Sequence, residues 1–469
     1  MLGLIVDRSK SLSISRQIYD QIRDRIMFGE LDSGYKLPPS RQLAESLEVS
    51  RNIIIEVYDQ LLSEGFIESR IGSGTYVASG IHKSASPGYI SDWNLKKKEH
   101  RRNQSDIIDF ASGIPDLMEF PFKTWEKCLK EAYDSDAEEM FGYGSVTGDP
   151  ELRETISDYL YNSKGVHCSP ENILITSGAS QAFFLIAKVI GETLTDIYME
   201  DPSVDFIQDI FIKSGFRLRS ISVDDEGACV QELFTTNEKK LIFLTPSFQF
   251  PTGSILSIQR KQALVDWARK TGSIIIEDGY DSEFRYRGIL TPPLLAMDYE
   301  HILYVGTFSK NLSPGLRLGY LIVPPQLKQA FKQVKSDLNI FCSQIDQKTL
   351  ARFIGNGCLE RHIYQMKKIY GKKQQTLTQL IRQLLKNQVN IASNDAGMHL
   401  ILEIPQTVYD RLDWRRSEEY GIRVYPIQDF YYEKPDHKNR LILGYGNLSL
   451  QDIEKGAERL NRFIKTAGK

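Results

Sequence analysis

The chain has 469 residues, 41% of them hydrophobic, and carries 58 Lys+Arg against 61 Asp+Glu for a formal net charge of −3. That length predicts two to four domains, and the ordinary apolar fraction predicts a packed globular protein rather than a disordered or fibrous one. With no apolar run near the length of a membrane span, no signal core before Arg8 and Lys10, and no metal spacing among Cys128, Cys168, Cys229, Cys342 and Cys358, the expectation is a cytoplasmic chain with reduced thiols, no metal and no membrane partner.

Residues 1–80 read as a small separate domain. Ile14, Ile18, Ile22 and Ile26 give one apolar helix face, and Gly29 and Gly34 mark its end. Leu37-Pro38-Pro39-Ser40-Arg41-Gln42-Leu43-Ala44 predicts a short helix with proline in its first turn. A tight turn at Glu48-Val49 leads to Ser50, an N-cap for a third helix running to about Leu62, with Val49 and Ile54 spaced as a hydrophobic staple. Gly65 suits the stop, and Phe66 to Val77 folds back around Gly72-Ser73-Gly74 as a hairpin. Helix, helix, turn, helix, hairpin is a winged helix-turn-helix, in which Arg51 and Asn52 occupy the first turn of the helix that enters a major groove. The run resembles the GntR family of bacterial regulators. That resemblance implies double-stranded DNA as a partner, approached by Arg41, Ser50, Arg51, Asn52, Ile53 and the wing glycine Gly72. Ile53, where a small polar residue is commoner, either meets a thymine methyl or belongs to the core. The domain is not basic, with nine Lys+Arg against eleven Asp+Glu in residues 1–80. Residues 81–105, with Lys96-Lys97-Lys98 and Arg101-Arg102, read as a linker, either a solvated tether or a DNA arm.

The large domain is expected over 106–469. Strands are predicted at 172–176, 196–199, 218–223, 241–244, 273–277, 301–305 and 317–323, a seven-stranded, mainly parallel sheet. Ser177-Gly178-Ala179-Ser180-Gln181 opens an apolar helix whose first N–H groups, around Ala179 and Ser180, suit a phosphate. The strand at 273–277 delivers Asp278 and Tyr280, and the one at 301–305 leads through Gly306-Thr307-Phe308-Ser309 to Lys310. A lysine at such a strand end, desolvated, forms a Schiff base with an aldehyde. Arg317, seven residues on, meets a phosphate bidentately. A lysine, an aspartate for a protonated pyridine and a phosphate arginine are what pyridoxal phosphate requires of a protein. Residues 326–385 read as helices with a solvated face at Met366–Lys373, and 390–469 as a small α/β lobe with strands near 399–403, 422–424 and 441–443.

Here the chain resembles the fold-type I, class I aminotransferases, an α/β fold. The resemblance implies that Lys310 carries the cofactor, that Asp278 faces the ring nitrogen, Tyr280 the ring hydroxyl and Arg317 the phosphate, with Ser309, Ala179 and Ser180 beside it. It also implies a homodimer in which Tyr143, in Phe141-Gly142-Tyr143-Gly144, reaches the partner's cofactor. Thr245-Pro246-Ser247-Phe248-Gln249-Phe250-Pro251-Thr252-Gly253 resembles the MocR/GabR-type regulators, which join a GntR reader to such a domain. The implied function is a pyridoxal-phosphate-dependent transcriptional regulator sensing an amine, an amino acid or the cofactor itself. An active aminotransferase or lyase with an accessory reader is the alternative. Where 4-aminobutyrate-responsive members hold the effector carboxylate, this chain has Phe206 and Asp429, and Val204 replaces their stacking tyrosine. Ile442 stands at the place of the aminotransferase carboxylate arginine, leaving Arg440 and Arg423 as candidate effector residues.

Overall fold

The computed structural model describes residues 2–8, 12–80, 107–280, 283–286, 291–393, 396–433 and 439–466, so the linker expected at 81–105 lies outside them. The chain divides into two compact units, Met1–Gln104 and Ser105–Lys469.

In the first unit α1 (Ile14–Met27) buries Ile18, Ile22 and Ile26 along the four-residue stripe, and Ser13 caps it by accepting from the Arg16 N–H at 3.3 Å. The next helix, α2 (Ser40–Leu47), begins after both prolines, with Pro39 at the N-cap rather than inside the first turn. Its extended backbone (ψ 140°) is what a residue outside the helix adopts. Glu48, left-handed at φ 53°, turns the chain into α3 (Arg51–Ser63). Ser50 sits at that N-cap in extended conformation, but its side chain makes no capping hydrogen bond. Val49 packs on the cluster that holds Ile54, as a staple does. Ile53 is partly buried against the same cluster, which settles it as a core neighbour. Strands β1 (Ile67–Arg70) and β2 (Gly74–Val77) pair antiparallel as the wing.

In the second unit β3 (Ile108–Asp109) and the helices α4 (Phe122–Phe141) and α5 (Pro150–Lys164) precede a large sheet. Its strands are β4 (Ile173–Thr176), β5 (Asp196–Asp201), β6 (Arg217–Asp224), β7 (Gly227–Ala228), β8 (Leu241–Leu244), β9 (Ile274–Asp278), β10 (Ile302–Thr307) and β11 (Gly319–Ile322). They run in the order β4-β11-β10-β9-β8-β5-β6-β7. The pairs from β10 through β9, β8 and β5 to β6 are parallel, and β11 is antiparallel to both neighbours. All seven expected strands are present. The eighth, β7, folds back on β6 because Gly227, at φ +91°, takes a left-handed turn closed to other residues.

Helices cover both faces, which is why the central strands are apolar throughout. Ile175, Ile242, Ile275 and Ile302 face one core, while Leu174, Phe243, Ile276 and Leu303 face another, with α6 (Ala179–Ile190) and α7 (Asp205–Lys213) among its helices. The helices α8 (Ile258–Thr271), α9 (Leu294–Met297), α10 (Lys328–Leu338), α11 (Gln344–Gly355) and α12 (Cys358–Leu385) complete the layers. The small lobe holds β12 (Asn390–Ser393), β13 (His399–Glu403), α13 (Gln406–Tyr409), β14 (Ile422–Arg423), β15 (Tyr425–Pro426), β16 (Arg440–Gly444) and α14 (Leu450–Thr466). Its own sheet runs β12-β13-β16-β15, while β14 pairs with β3.

One expectation for α12 is corrected. The Met366–Lys373 face is not solvated throughout: Met366 and Lys373 are both buried. Lys373 Nζ donates to Asp116 and to the Gly446 carbonyl, each at 2.7 Å, so the lysine joins the helix to two other segments.

Candidate functional site

The parallel strands end together, as α/β sheets do where they bind ligands. There the described residues line a cavity of about 440 Å³ that includes Ala179, Ser180, Asp278, Tyr280, Ser309, Lys310 and Arg317. Seven of the eight residues expected around the cofactor thus come together from α6, the end of β9 and the loops after β9 and β10.

At the reactive end, Lys310 Nζ donates to the Gly113 carbonyl at 2.7 Å. Gly113 is left-handed at φ +68°, and a Cβ there would lie 2.9 Å from that nitrogen, so glycine is needed for the lysine to lie where it does. At the opposite end α6 begins at Gly178 (φ +84°), with no side chain capping its first N–H groups. Those donors make an anion site. Arg317 stands over it, left-handed at φ +51°, donating to the Ser177 carbonyl at 2.8 Å. A Cβ on Gly178 would come 3.2 Å from its guanidinium.

Between the two ends lies Asp278. Its Oδ1 is buried and has no hydrogen-bond partner. Burial pushes its pKa up to about 7, Lys310 opposes the rise, and the nearby Glu200 and Glu277 add to it. Burial likewise lifts Glu200 to about 7, although its carboxylate accepts from the Thr245 N–H and hydroxyl. A buried carboxyl with an orphaned oxygen is costly unless a cation meets it. Together with the amine at Lys310 and the anion site at α6, it fits a flat group bearing an aldehyde, a protonated ring nitrogen and a phosphate. Tyr280 donates to the Phe248 carbonyl at 3.2 Å.

The remaining wall is apolar. Ile442 and Ile401 are fully buried around Phe250, with Val204 and Phe430 packed on them. Sequence reasoning missed His399, the one polar residue at the head of an apolar strand, and Gly113, in the small-residue run Ala111-Ser112-Gly113. His399 lines the cavity, and its Nε2–H donates to the Pro251 carbonyl at 3.1 Å. Burial lowers its pKa to about 4, so the ring is neutral.

Three expected residues lie elsewhere. Tyr143 is 92% exposed, with only an edge contact to Phe341 at 6.0 Å among its ring contacts. Arg423 pairs with Asp109 at 3.0 Å and Glu418 at 2.7 Å, outside the cavity. Arg440 opens β16 on the face that carries Ile442, but it does not line the cavity; its Nε is buried without a partner. In the first unit Arg41, Ser50, Arg51, Asn52 and Gly72 are all exposed, and Arg51 Nε lies 3.4 Å from the Ser40 hydroxyl. On the wing, Arg70 and Lys36 sit over the Tyr76 ring at 4.5 and 5.6 Å. Ile71 at the wing's tip is wholly exposed.

Comparison with known proteins matches residues 105–460 to the family "aminotransferase class I and II" and residues 14–77 to the family "bacterial regulatory proteins, gntR family". The chain is 33% identical to the probable rhizopine catabolism regulatory protein MocR of Rhizobium meliloti, over 97% of this chain and 95% of that protein. It is 28% identical to the HTH-type pyridoxine biosynthesis transcriptional regulator PdxR of Corynebacterium glutamicum, over 86% and 85%. Among solved structures it resembles the α-aminoadipate aminotransferase LysN of Thermus thermophilus, complexed with N-(5'-phosphopyridoxyl)-L-leucine. That match has a TM-score of 0.70 and 25% identity, covering 77% of this chain and 93% of that one.

Proposed function

The chain belongs to the aminotransferase class I and II family, in the MocR-type branch that joins such a domain to a GntR-family DNA reader, and from that premise we propose how it works. It is a pyridoxal-phosphate-dependent regulator of transcription. The observation that carries this reading is the joint presence of an exposed reader helix beginning Arg51-Asn52 and a cavity that holds Lys310, Asp278 and Arg317 together.

In this reading Lys310 holds the cofactor, Asp278 Oδ1 meets the protonated ring nitrogen and Tyr280 the ring hydroxyl. Arg317, Ser309 and the N–H groups at Ala179 and Ser180 hold the phosphate. Pyridoxal phosphate supplies an electrophilic carbon that captures primary amines reversibly, the basis for sensing an amine, an amino acid or the cofactor's own supply. The chain acts as a homodimer, because a helix-turn-helix reads paired half-sites. The exposed Tyr143 and Phe141, 92% and 70% accessible, give an apolar surface for that contact. Its workplace is the cytoplasm, where the DNA is; among the described residues no helix is long and apolar enough to cross a membrane.

The test maps bound DNA and transcripts together. Wild-type protein should occupy a few promoters, Arg51→Ala should lose them, and Lys310→Ala should lose both the visible absorption of the loaded protein and the ligand response. Turnover of many amino acids at ordinary enzyme rates, with no promoter occupied, would overturn the regulatory reading in favour of an enzyme.

A further inference from the structure

A second cavity, of about 520 Å³, lies in the large unit and shares no described lining residue with the first. Its floor is an ion pair: Lys164 and Glu283 meet at 2.9 Å with side chains only 11% and 10% exposed. Lys164 also donates to the Tyr304 hydroxyl at 3.0 Å, and the Tyr159 hydroxyl to Glu283 at 3.2 Å. One rim is pinned by the fully buried Lys261, whose Nζ donates to the Thr291 hydroxyl at 3.0 Å and the Pro292 carbonyl at 2.8 Å. A buried ion pair is poor evidence for stability, since desolvation cancels most of its attraction. At the floor of an open cavity it serves better as a polar anchor in a mainly apolar wall, which is how small-molecule sites are built.

We propose that this cavity is a second ligand site, for a small organic monoanion, a carboxylate on a flat apolar ring. The charge follows from the lining. Lys164 and Glu283 cancel, leaving Arg285 and Lys367 against the single Glu360, one net positive charge. The ring follows from Phe248, Tyr304 and Tyr364, which offer aromatic faces beside Pro292 and Pro293. The two cavities also share a wall. Ser247 and Phe248 front the second and Phe250 the first, and Tyr280 of the first donates to the Phe248 carbonyl at 3.2 Å. The Tyr304 hydroxyl lies 2.1 Å from where a Cβ on Gly279 would be, so it rests on the backbone between Asp278 and Tyr280. An occupant of the second site therefore presses on the segments that shape the first.

The experiment is calorimetric titration of the full chain with benzoate, and with benzamide and benzylamine as neutral and cationic counterparts. Benzoate should bind once per chain, at least tenfold tighter than either counterpart, and with the same affinity whether or not pyridoxal phosphate is loaded. Failure of the chain to take up pyridoxal phosphate would count against the regulatory reading and leave this titration intact. The Arg285→Ala/Lys367→Ala variant should weaken benzoate at least tenfold, and Lys367→Glu alone, a change on a half-exposed helix position, should weaken it several-fold. No binding at millimolar benzoate, equal binding of benzylamine, or loss of binding on loading the cofactor would overturn the second site.

Discussion

Asp278 shows how the site's chemistry rests on single atoms. Its folded pKa of about 7 stands above the ordinary 3.8, so between those values the folded cofactor-free protein binds more protons than the unfolded chain. Stability then falls as pH rises from about 4 towards 7, and the cost is fully present above 7, on the order of 3–4 kcal/mol. Asp278→Asn should accordingly stabilise the cofactor-free protein at pH 8 and change it little near pH 4, read from urea midpoints. It should also weaken retention of pyridoxal phosphate on dialysis, because the ring nitrogen loses its anionic partner. His399 works in the opposite direction: its folded pKa of about 4 lies below 6.5, so it costs stability as pH falls through that range. By pH 5 that amounts to about 2 kcal/mol, which His399→Phe should abolish. Lys310, Asp278, Tyr280 and Arg317 were legible because each sits at a fixed offset from a readable strand. Glu200, His399 and Gly113 were not, because what marks them is burial and close approach across the fold rather than neighbours in sequence.

At the scale of elements, periodicity located every strand of the large sheet but β7, whose two residues carry no alternation and whose signal is only the turn at Gly227. It misplaced Lys373 because helical spacing shows which residues share a face, not which faces the rest of the chain covers. Buried, with its partner Asp116 only 15% exposed, that lysine ties α12 to a distant loop. Removing one partner strands the other's charge, so Lys373→Met should destabilise the large unit by about 3–5 kcal/mol, measured by denaturant unfolding. The reader helix is the opposite case. Arg51 is exposed and bears almost no structural duty, so Arg51→Ala should leave the melting temperature in place. It should weaken the specific DNA site by about 1–3 kcal/mol and random DNA far less. Equal loss on both would remove Arg51 as a base reader. Of α3, the outward Arg51-Asn52 and the inward Ile54 were readable from the cap and spacing, whereas the side taken by Ile53 needed the packed core.

For the whole molecule the question is what a ligand must do to alter DNA binding. It shifts the equilibrium only by as much as it prefers one arrangement of the protein over another, so it must grip the cavity with more than its amine. A carboxylate needs a cation for that grip, and the wall beside Lys310 offers none beyond Arg317, which stands at the α6 anion site. Phe206, Ile442 and Phe430 are apolar, His399 is neutral, and Asp205 at the mouth repels an anion. Arg423 is held by Asp109 and Glu418, and Arg440 lies beyond Ile442 on its strand. An unpaired carboxylate buried here would cost several kcal/mol. We therefore expect 4-aminobutyrate at millimolar concentration to leave both the visible spectrum of the loaded protein and its DNA affinity unchanged. An amine with an apolar body and no carboxylate should shift both. A screen of amines and amino acids by that spectrum decides the matter, with gel-shift titration of the responders. A clear response to 4-aminobutyrate that survives Arg440→Ala and Arg423→Ala together would mean that the cavity pairs a carboxylate by another route, and the apolar reading of its wall would fall.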